Sequence, residues 1–450
     1  MFSTIIKRDG RTAAYDVEKI AKAIFQAATS VGGRDFETAH ALALQVQQRL
    51  EETYPSSQSP TVEQIQDMVE KVLIDTGHSR TAKEYILYRA QRTRVREMNT
   101  KLMKVYEDLT FKSAAENDIK RENANIDGNT AMGTMLKYGS EGAKAFYEMF
   151  VLDPEHARAH DCGDIHIHDL DFFSLTTTCC QIDLTKLFEG GFNCGYGYLH
   201  EPQDIGSYAA LAYTAIQSNQ NDQHGGQSIP NFDYGMALGV AKTFRKAYTN
   251  KLMEGVEDYL DTEDEKEGID AILKQAKEKT GFTPRLEDGT KAFDAAVAEG
   301  LTERYQIPPA KAARLVEVAR HRATRKADRD TYQAMEGFVH NLNTMHSRAG
   351  AQTPFSSINY GTDTSPEGRM VIKNILLATD AGLGHGETCI FPMHGFKVKE
   401  GVNDNGGDPN YALVKLSCKV SAKRLFPKYM FQGAPFNLQY NKPGDPETEV

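Results

Sequence analysis

Short strand-like segments separated by long helical stretches are the feature that most constrains the fold of this chain. Within residues 347–361, Phe355, Ser357 and Asn359 alternate with Ser356 and Ile358 in a strand-like run, and residues 389–403 are predicted to form another strand and turn. Helical spacing covers 332–345 before the first of these strands and 368–380 between them. Strands separated by helices are typical of an α/β barrel or a layered sheet. The sequence therefore predicts an α/β fold for this part of the chain.

Residues 163–184 carry an unusual density of reactive side chains, and we predict two extended segments joined by an aromatic turn. In the first segment, apolar positions alternate with three titratable side chains: His166, His168 and Asp169. The second segment is rich in threonine, which favours a strand, and carries the adjacent pair Cys179 and Cys180. Because neighbouring strand residues point to opposite faces, only one of these thiols is expected to face a given site.

Composition limits the classes of protein that the chain can belong to. At 450 residues, two or three domains are expected, and 40% hydrophobic with 25% charged residues is a globular composition. Without a signal peptide or a long apolar run, a cytoplasmic location is predicted. The formal net charge of -10 argues against direct nucleic-acid binding. Six irregularly spaced cysteines suggest reduced thiols, and the lack of a CxxC pair leaves no four-cysteine zinc site to predict.

Residues 1–95 are predicted to form a β-hairpin followed by a small helical bundle. Strand candidates at 3–7 and 13–15 flank a turn, and Thr61 with Gln64 forms a capping-box pattern before a helix. The predicted helices cover 17–27, 39–50, 61–76 and 83–96. A group of basic side chains on the hairpin and the first helix could bind an anion: Lys7, Arg8, Arg11 and Lys19. On charge alone, such a group is more often a solvated basic turn that binds no ligand.

Two further segments could hold a ligand. Residues 219–237 are rich in amide side chains and are predicted to form a loop that could cradle phosphate or sugar hydroxyls. The candidate residues of this loop are Gly225, Gly226, Gln227 and Ser228. The strand in 353–361 projects Asn359, with Gln352 and Thr353 at its mouth. An ordinary polar turn and a structural asparagine are equally favoured on these patterns alone.

The first 95 residues resemble the ATP-cone, a nucleotide-binding regulatory module. The segments that carry the resemblance are IIKRDGR, VEKIAKAI, TVEQIQDMVEKVLIDTG and AKEYILYR, in this order. In that family, basic residues of the first strand, the turn and the first helix contact nucleotide phosphates. The resemblance implies that Lys7, Arg8 and Lys19 do so here, with ATP and dATP as allosteric effectors.

Four later segments resemble the anaerobic, class III ribonucleoside-triphosphate reductase. They are ENANIDGNTAMGTMLKYGSEG, GDIHIHDLDFF…TCCQIDL, SNQNDQHGGQSIPNFDY and SRAGAQTPFSSINYG, and with the cone they cover about residues 3 to 450. The implied fold is an N-terminal helical ATP-cone with a β-hairpin cover, followed by an incomplete ten-stranded α/β barrel of the glycyl-radical enzyme type. The implied domains are the cone at 1–95, a helical linker at 96–120 and the barrel at 121–450.

The resemblance also implies a chemistry, the reduction of ribonucleoside triphosphates to deoxyribonucleoside triphosphates by glycyl and thiyl radicals. By position, Cys179 is the implied hydrogen donor, with Cys180 the lesser candidate. His166, His168 and Asp169 would line the same cavity, and the GGQS segment and Asn359 would hold phosphate and ribose. A metal site at the His-x-His-Asp sequence is the less favoured alternative.

The family further implies several partners: a radical-SAM activating enzyme, formate or a thioredoxin-like protein as reductant, and a second subunit in a homodimer or higher oligomer. By analogy, the helix 207–220 is a candidate for binding a specificity effector. The finger-loop cysteine, the four-cysteine zinc site and the radical glycine of the family have no counterpart in this sequence. We therefore expect an incomplete chain that is not active alone.

Two other functions remain open at this level. A non-catalytic regulator could use the ATP-cone to sense nucleotides, but it would need neither the thiol-bearing strand nor the GGQS segment nor Asn359. Another glycyl-radical enzyme would keep the barrel, but regulation by adenine nucleotides fits deoxynucleotide supply better.

Overall fold

The protein divides into two compact units, 1–111 and 112–450, in a computed structural model. The described residues are 3–8, 10–55, 59–98, 101–111, 130–173, 177–195, 197–286, 291–347 and 353–439. Within these ranges, no helix combines the length and the apolar character needed to cross a membrane.

The first unit begins with the predicted hairpin. Strands β1 (Thr4–Ile6) and β2 (Thr12–Ala14) pair antiparallel. The turn is closed by the Lys7 N–H, which donates to the Arg11 carbonyl at 2.8 Å. The Ile6 N–H donates to the Pro60 carbonyl at 3.0 Å, so the hairpin is attached to the segment that precedes the third helix. The predicted hairpin is confirmed.

After the hairpin, the described residues of this unit form five helices: α1 (Val17–Ser30), α2 (Phe36–Thr53), α3 (Val62–Asp75), α4 (Ser79–Met98) and α5 (Lys101–Phe111). Apolar residues spaced three and four apart on α1, α2 and α3 form the core, where Ile24, Val46 and Val72 are buried. Thr61 caps α3 as predicted, because its Oγ1 accepts from the Gln64 N–H at 3.2 Å and its own N–H donates to Gln64 Oε1 at 2.8 Å.

The second unit is built on a five-stranded parallel sheet. Its strands are β3 (Thr177–Gln181), β6 (Gln223–Ile229), β7 (Ser356–Tyr360), β8 (Met393–Val398) and β9 (Lys428–Phe431), adjacent in this order. A separate two-stranded hairpin is formed by β4 (Phe192–Asn193) and β5 (Tyr198–Leu199). Because sheet order follows chain order and all four neighbouring pairs are parallel, the connections run through helices, and the predicted α/β class is confirmed.

Eleven helices are described in this unit. They are α6 (Ala131–Phe150), α7 (Pro154–Asp161), α8 (Leu184–Phe188), α9 (Ile205–Asn219), α10 (Phe232–Leu260), α11 (Lys266–Thr280), α12 (Lys291–Tyr305), α13 (Pro309–Thr344), α14 (Pro366–Ala381), α15 (Tyr411–Arg424) and α16 (Pro435–Leu438). The main core lies between the sheet and α9, α10, α13 and α14, where Ile229, Ile358 and Phe396 meet apolar helix faces. The helices predicted at 207–220 and 368–380 are present as α9 and α14, whereas the one predicted at 332–345 is only the C-terminal part of α13, which begins at Pro309.

A second core lies in a helical cluster at the far ends of α10 and α13. With 29 and 36 residues, these helices are about 43 and 54 Å long at 1.5 Å per residue. The C-terminal part of α10 and the N-terminal part of α13 pack with α11 and α12 around buried Phe244, Tyr248 and Phe293. The two long helices therefore belong to both cores.

The predicted strand at 163–170 is wrong. This segment forms turns and continues into a single 3₁₀ turn at Leu170–Phe172, with Asp169 in the left-handed region at φ +51°. Ile165, which the alternating pattern would bury, is 45% exposed. Apolar and polar residues do alternate here, but in the described structure no strand lies beside this segment. Without a neighbouring strand, its backbone N–H and C=O groups would lack hydrogen-bond partners.

The predicted loop around the GGQS sequence is also wrong. Gln223–Ile229 is strand β6, the second strand of the sheet, with β3 on one side and β7 on the other. Two glycines inside a strand weaken its propensity, but pairing on both edges supplies partners for its backbone groups.

Asp233, in the first turn of α10, ties the end of β7 to that helix. Its Oδ2 accepts from the N–H groups of Gly361, Thr362 and Asp363 at 2.8, 3.1 and 3.0 Å. Burial raises the pKa of the Asp233 carboxyl, and the bonds from the Asp363 and Gly361 N–H groups, together with nearby Lys397, oppose that rise. The backbone leaves the sheet after β7, and the Asp233 side chain accepts the hydrogen bonds of its next three N–H groups.

His394 on β8 is buried on the helix-facing side of the sheet. Its Nδ1 lies 2.9 Å from the Tyr360 hydroxyl, and its Nε2 lies 3.4 Å from Thr379 Oγ1. Burial lowers the pKa of His394 to about 3, so the ring is neutral in the folded protein at ordinary pH.

Candidate active site

Cys179 lies at an irregularity between β3 and β6. Thr178 pairs with His224 and Cys180 pairs with Gln227, so Cys179 alone faces the two glycines of β6, Gly225 and Gly226. The backbone of Cys179 has φ +25°, in the left-handed region. A non-glycine residue there costs on the order of 1–2 kcal/mol, and such strain tends to be kept at functional sites.

The two adjacent thiols have different surroundings. The Cys179 side chain is exposed, whereas Cys180 is half-buried. Asn219, the last residue of α9, donates its Nδ2 to Cys180 Sγ at 3.0 Å and to Gln227 Oε1 at 2.8 Å. Burial raises the pKa of the Cys180 thiol, and the bond from Asn219 opposes that rise. The sulfur of Cys180 is therefore held toward α9, whereas Cys179 as a whole is an exposed residue without this bond.

A cavity of about 490 Å³ opens beside these thiols and is lined by residues on or next to β3, β6, β7 and β8. Its lining comprises Cys179, Cys180, Gln181, Gly226, Gln227, Ser228, Phe355, Ser356, Ser357 and Met393. The sheet thus brings both candidate cysteines together with three residues of the GGQS segment. Not one of these lining side chains carries a formal charge.

Five of the lining residues were not singled out from the sequence. Gln181 lies two positions beyond Cys179 on β3, and Phe355 and Ser357 lie four and two positions before Asn359. Alternation along a strand puts residues two apart on one face, so this pattern was available. The sequence pattern could not have predicted Met393, because this residue reaches the site only through the pairing of β8 with β7.

Asn359 is buried, at 6% exposure, and lies further along β7 than the cavity lining. Its Oδ1 lies against Gly395 of β8, where an added Cβ would approach to 2.4 Å. Thr353 uses its carbonyl to accept from Gln220 Nε2 at 3.3 Å. Gln352 lies outside the described residues. A direct ligand contact of Asn359 or Thr353 stays a prediction.

The His-x-His-Asp segment lies outside the described lining of the cavity. The His166 ring centroid is 5.6 Å from that of His160 and 5.9 Å from that of His168, whose Nδ1 lies 3.7 Å from Asp169 Oδ1. These side chains are mostly exposed, and in the described part of the chain no group of three or more His, Cys, Asp or Glu is arranged to hold a metal ion. The role of this segment in binding substrate stays a prediction.

The predicted cations of the first unit lie on the hairpin and at the start of α1. Arg8 bridges to α3, because its Nη2 donates to Gln66 Oε1 at 2.8 Å and its Nε pairs with Glu63. Lys19 is 80% exposed, with its Nζ 3.8 Å from Asp16. Lys7 and Arg11 are exposed at the two ends of the turn. The structure therefore orients Arg8 through two side-chain contacts, whereas Lys7 and Lys19 are exposed.

A second cavity of about 520 Å³ lies between α9, α10 and α13. Charged and amide side chains of α10, of α13 and of the N-cap of α9 line it, among them Asp204, Lys246, Asn250, Lys326 and Asp330. Lys326 Nζ pairs with Asp330 at 2.7 Å. Part of the helix predicted at 207–220 thus borders a polar cavity.

Fold and site together define an α/β domain that presents a cysteine at a sheet irregularity to an uncharged, ligand-sized cavity. Comparison with known proteins identifies the family. A family model described as anaerobic ribonucleoside-triphosphate reductase matches residues 122–448, and one described as the ATP cone domain matches residues 3–94. The chain belongs to the anaerobic ribonucleoside-triphosphate reductase family and carries an ATP-cone.

Two curated proteins and one solved structure illustrate what this chain is similar to. The anaerobic ribonucleoside-triphosphate reductases of Haemophilus influenzae and Escherichia coli are 28% and 26% identical over 426 residues, which is 94% of this chain and 51% and 50% of those proteins. The chain spans about half the length of the curated relatives it matches. The anaerobic ribonucleotide reductase of Thermotoga maritima in complex with dATP and CTP is 10% identical, with a TM-score of 0.39 over 68% of this chain and 43% of that one.

Proposed function

We propose that residues 112–450 bind a ribonucleoside triphosphate and that Cys179 supplies hydrogen in its reduction to the deoxyribonucleoside triphosphate. The observation that carries this proposal is an exposed cysteine at a cavity whose described lining residues carry no formal charge. Cationic neighbours favour a thiolate, the form needed for nucleophilic attack or metal binding. An uncharged lining suits a neutral S–H group that gives up a hydrogen atom instead.

The lining also suggests which part of the substrate it holds. Gln181, Ser228 and Ser357 offer amide and hydroxyl groups that can hydrogen-bond to ribose, and Phe355 and Met393 offer apolar surface. A triphosphate would want cations or several N–H donors. We therefore assign the ribose to this cavity, with Cys179 directed at the carbon that loses the 2′-hydroxyl.

The remaining parts of the reaction come from family resemblance. We propose that the initiating radical is a glycyl radical made by a radical-SAM activating enzyme, that formate or a thioredoxin-like protein is the reductant, and that the enzyme is a dimer or higher oligomer. For zinc, the described residues offer no suitable group of ligands, so the proposal assigns no zinc ligand to them.

A ribonucleoside triphosphate should protect Cys179 from alkylation. With the ribose in the cavity, most of the thiol surface is covered, so at saturating CTP we expect iodoacetamide to modify Cys179 at least about fivefold more slowly. The rate is measured by mass spectrometry of the peptide that contains Cys179. The exposed Cys162 and Cys418 are internal controls, because neither lies at the cavity.

Inorganic triphosphate is the matched ligand control, since it has no ribose and should leave the Cys179 rate unchanged. Equal rates with and without CTP, or equal slowing at all three cysteines, would reject the proposed ribose site.

For the first unit, we propose binding of ATP and dATP as allosteric effectors. The supporting observations are the match to the ATP cone domain and the group of basic residues at the hairpin and α1. Arg8 is already oriented by Glu63 and Gln66, so it can meet a phosphate with little further loss of side-chain freedom.

Removing either hairpin cation should weaken this binding. Lys7→Ala and Arg8→Ala are each expected to raise the Kd for ATP and dATP about tenfold, the scale of one charge-assisted phosphate contact. Isothermal titration calorimetry measures the change. Arg34→Ala is the control, because Arg34 is exposed in the connection after α1, at the other end of that helix from Lys19. Unchanged affinities in both hairpin variants would remove the hairpin from the nucleotide site.

The second cavity supports a further assignment, by analogy with the family. We propose that the cavity between α9, α10 and α13 binds a specificity effector, because Lys246 and Lys326 provide cations and amide groups provide hydrogen bonds.

A further inference from the structure

Gly225 of β6 lies directly against the sulfur of Cys179. A Cβ placed on Gly225 would come within 2.8 Å of Cys179 Sγ, and within 3.2 Å of both Cys179 N and Thr178 Oγ1. Carbon and sulfur that are not bonded to each other require clearly more space than 2.8 Å. The sulfur thus occupies a notch that exists only because residue 225 has no side chain.

The backbone conformation at this position gives an independent reason for glycine. Gly225 has φ +85°, which L-amino acids with a side chain rarely adopt. The extra residue of β6 produces this conformation, since two residues of β6 face the single Cys179. Backbone geometry and side-chain space therefore demand glycine at the same point of the sheet.

A hydrogen bond completes the surroundings of the sulfur. Thr178 Oγ1 donates to Cys179 Sγ at 3.7 Å, within the longer range of bonds to sulfur. Cys180 is held from the other side by Asn219. Both sulfurs are thus held in place. Gly225 and the Thr178 hydroxyl hold that of Cys179, and the Asn219 amide holds that of Cys180.

We propose that Gly225 is a positioning residue that seats the Cys179 sulfur in the sheet irregularity and so sets where the thiol meets the ribose. Thr178 supports the same placement through its hydroxyl. This inference rests on the role proposed for Cys179, but the notch itself can be tested without substrate.

The test is the alkylation rate of Cys179 relative to that of Cys162 in the full chain, without nucleotide. In Gly225→Ala, the methyl group takes the place of the sulfur, which must turn out toward the open cavity. We expect the ratio of the two rates to rise at least about threefold, since alkylation follows the exposure of the thiol. An unchanged or lower ratio would overturn the proposal.

Gly401→Ala is the matched control. Gly401 also has a positive φ, +76°, but a Cβ there would meet nothing within 4 Å. It reproduces the backbone strain of the substitution and should leave the rate ratio unchanged. A rise equal to that in Gly225→Ala would show general loosening of the fold and would also overturn the proposal.

A milder pair of variants covers the case in which Gly225→Ala does not fold. Thr178→Val removes the hydroxyl donor and should raise the ratio, whereas Thr178→Ser keeps the donor and should not. Equal ratios in the two variants would contradict the proposed support of the sulfur. These rates are measured without nucleotide, so they test the placement of the sulfur separately from ribose binding. If CTP protects Cys179 but the rate ratios do not change, only the role of Gly225 is rejected. If the ratios change but CTP does not protect, only the ribose site is rejected.

Discussion

Asp233→Ala should destabilise the second unit by about 4 kcal/mol, because it leaves three buried backbone N–H groups without their acceptor. Each unsatisfied buried donor costs about 1–3 kcal/mol, and the removed side chain also lay near Lys397. Part of the penalty is offset, since burial of the carboxylate itself costs free energy. The change is measured as urea-dependent hydrogen exchange in peptides that span β7 and α10.

Asp153→Ala provides the comparison in the same unit. Asp153 caps α7 and accepts one N–H, from Glu155 at 2.8 Å, at an exposed position. Its loss should cost about 1 kcal/mol, as is usual for a helix cap. If both variants cost the same, the three bonds to Asp233 contribute no more than an ordinary cap, and the proposed tie between β7 and α10 is wrong.

Acid should destabilise the second unit through His394. Because burial lowers the folded-state pKa to about 3 from the ordinary 6.5, the unfolded chain takes up the proton first as the pH falls. Stability is therefore complete above pH 6.5 and is lost progressively from there down to about pH 3. Between pH 7 and pH 5, this one residue should account for about 2 kcal/mol.

Replacing the ring isolates this contribution from that of the carboxylates. His394→Asn should lower the free energy of unfolding at pH 7, since the ring fills buried space, but should reduce its change between pH 7 and pH 5 by about 2 kcal/mol. Hydrogen exchange in peptides from β8 at the two pH values measures both quantities. His385→Asn, at an exposed loop position, should retain the full pH dependence. A pH dependence in His394→Asn equal to that of the unaltered protein would contradict a neutral buried ring.

Local patterns were sufficient for much of the fold. The hairpin and the α3 capping box depend on neighbours close along the chain, and the alternation of β7 is visible within its own residues; all three are as predicted. The α/β class followed from the alternation of strands with helices. Such features are encoded over spans that periodicity can detect.

The failures lie where the partner decides the structure. The alternation around His166 looks like a strand but has no strand beside it in the described structure, whereas the glycine-rich β6 looks like a loop but has strands on both sides. Strand propensity reflects packing against neighbours more than an intrinsic backbone preference. A single sequence does not say which segments become neighbours.

The site shows the same limit. Cys179 and the GGQS segment were selected from residue type and family resemblance, but their meeting depends on the pairing of β3 with β6 across more than forty residues. The contact of Gly225 with the sulfur depends further on a one-residue irregularity in that pairing. The link between Asp233 and Gly361 crosses 128 residues and left no local trace in the sequence.

The second core has a consequence for the order in which the chain folds during synthesis. All its buried members lie between Phe244 and Ala327, with Met370 packed against them from later in the chain, whereas the buried members of the main core run from Leu184 through Val420. Contacts that are close along the chain form sooner, because less loop entropy is lost in making them. The helical cluster can thus assemble on the nascent polypeptide before β7, β8 and β9 have been made. It would then offer the preformed ends of α10 and α13 as a platform against which the sheet is laid down.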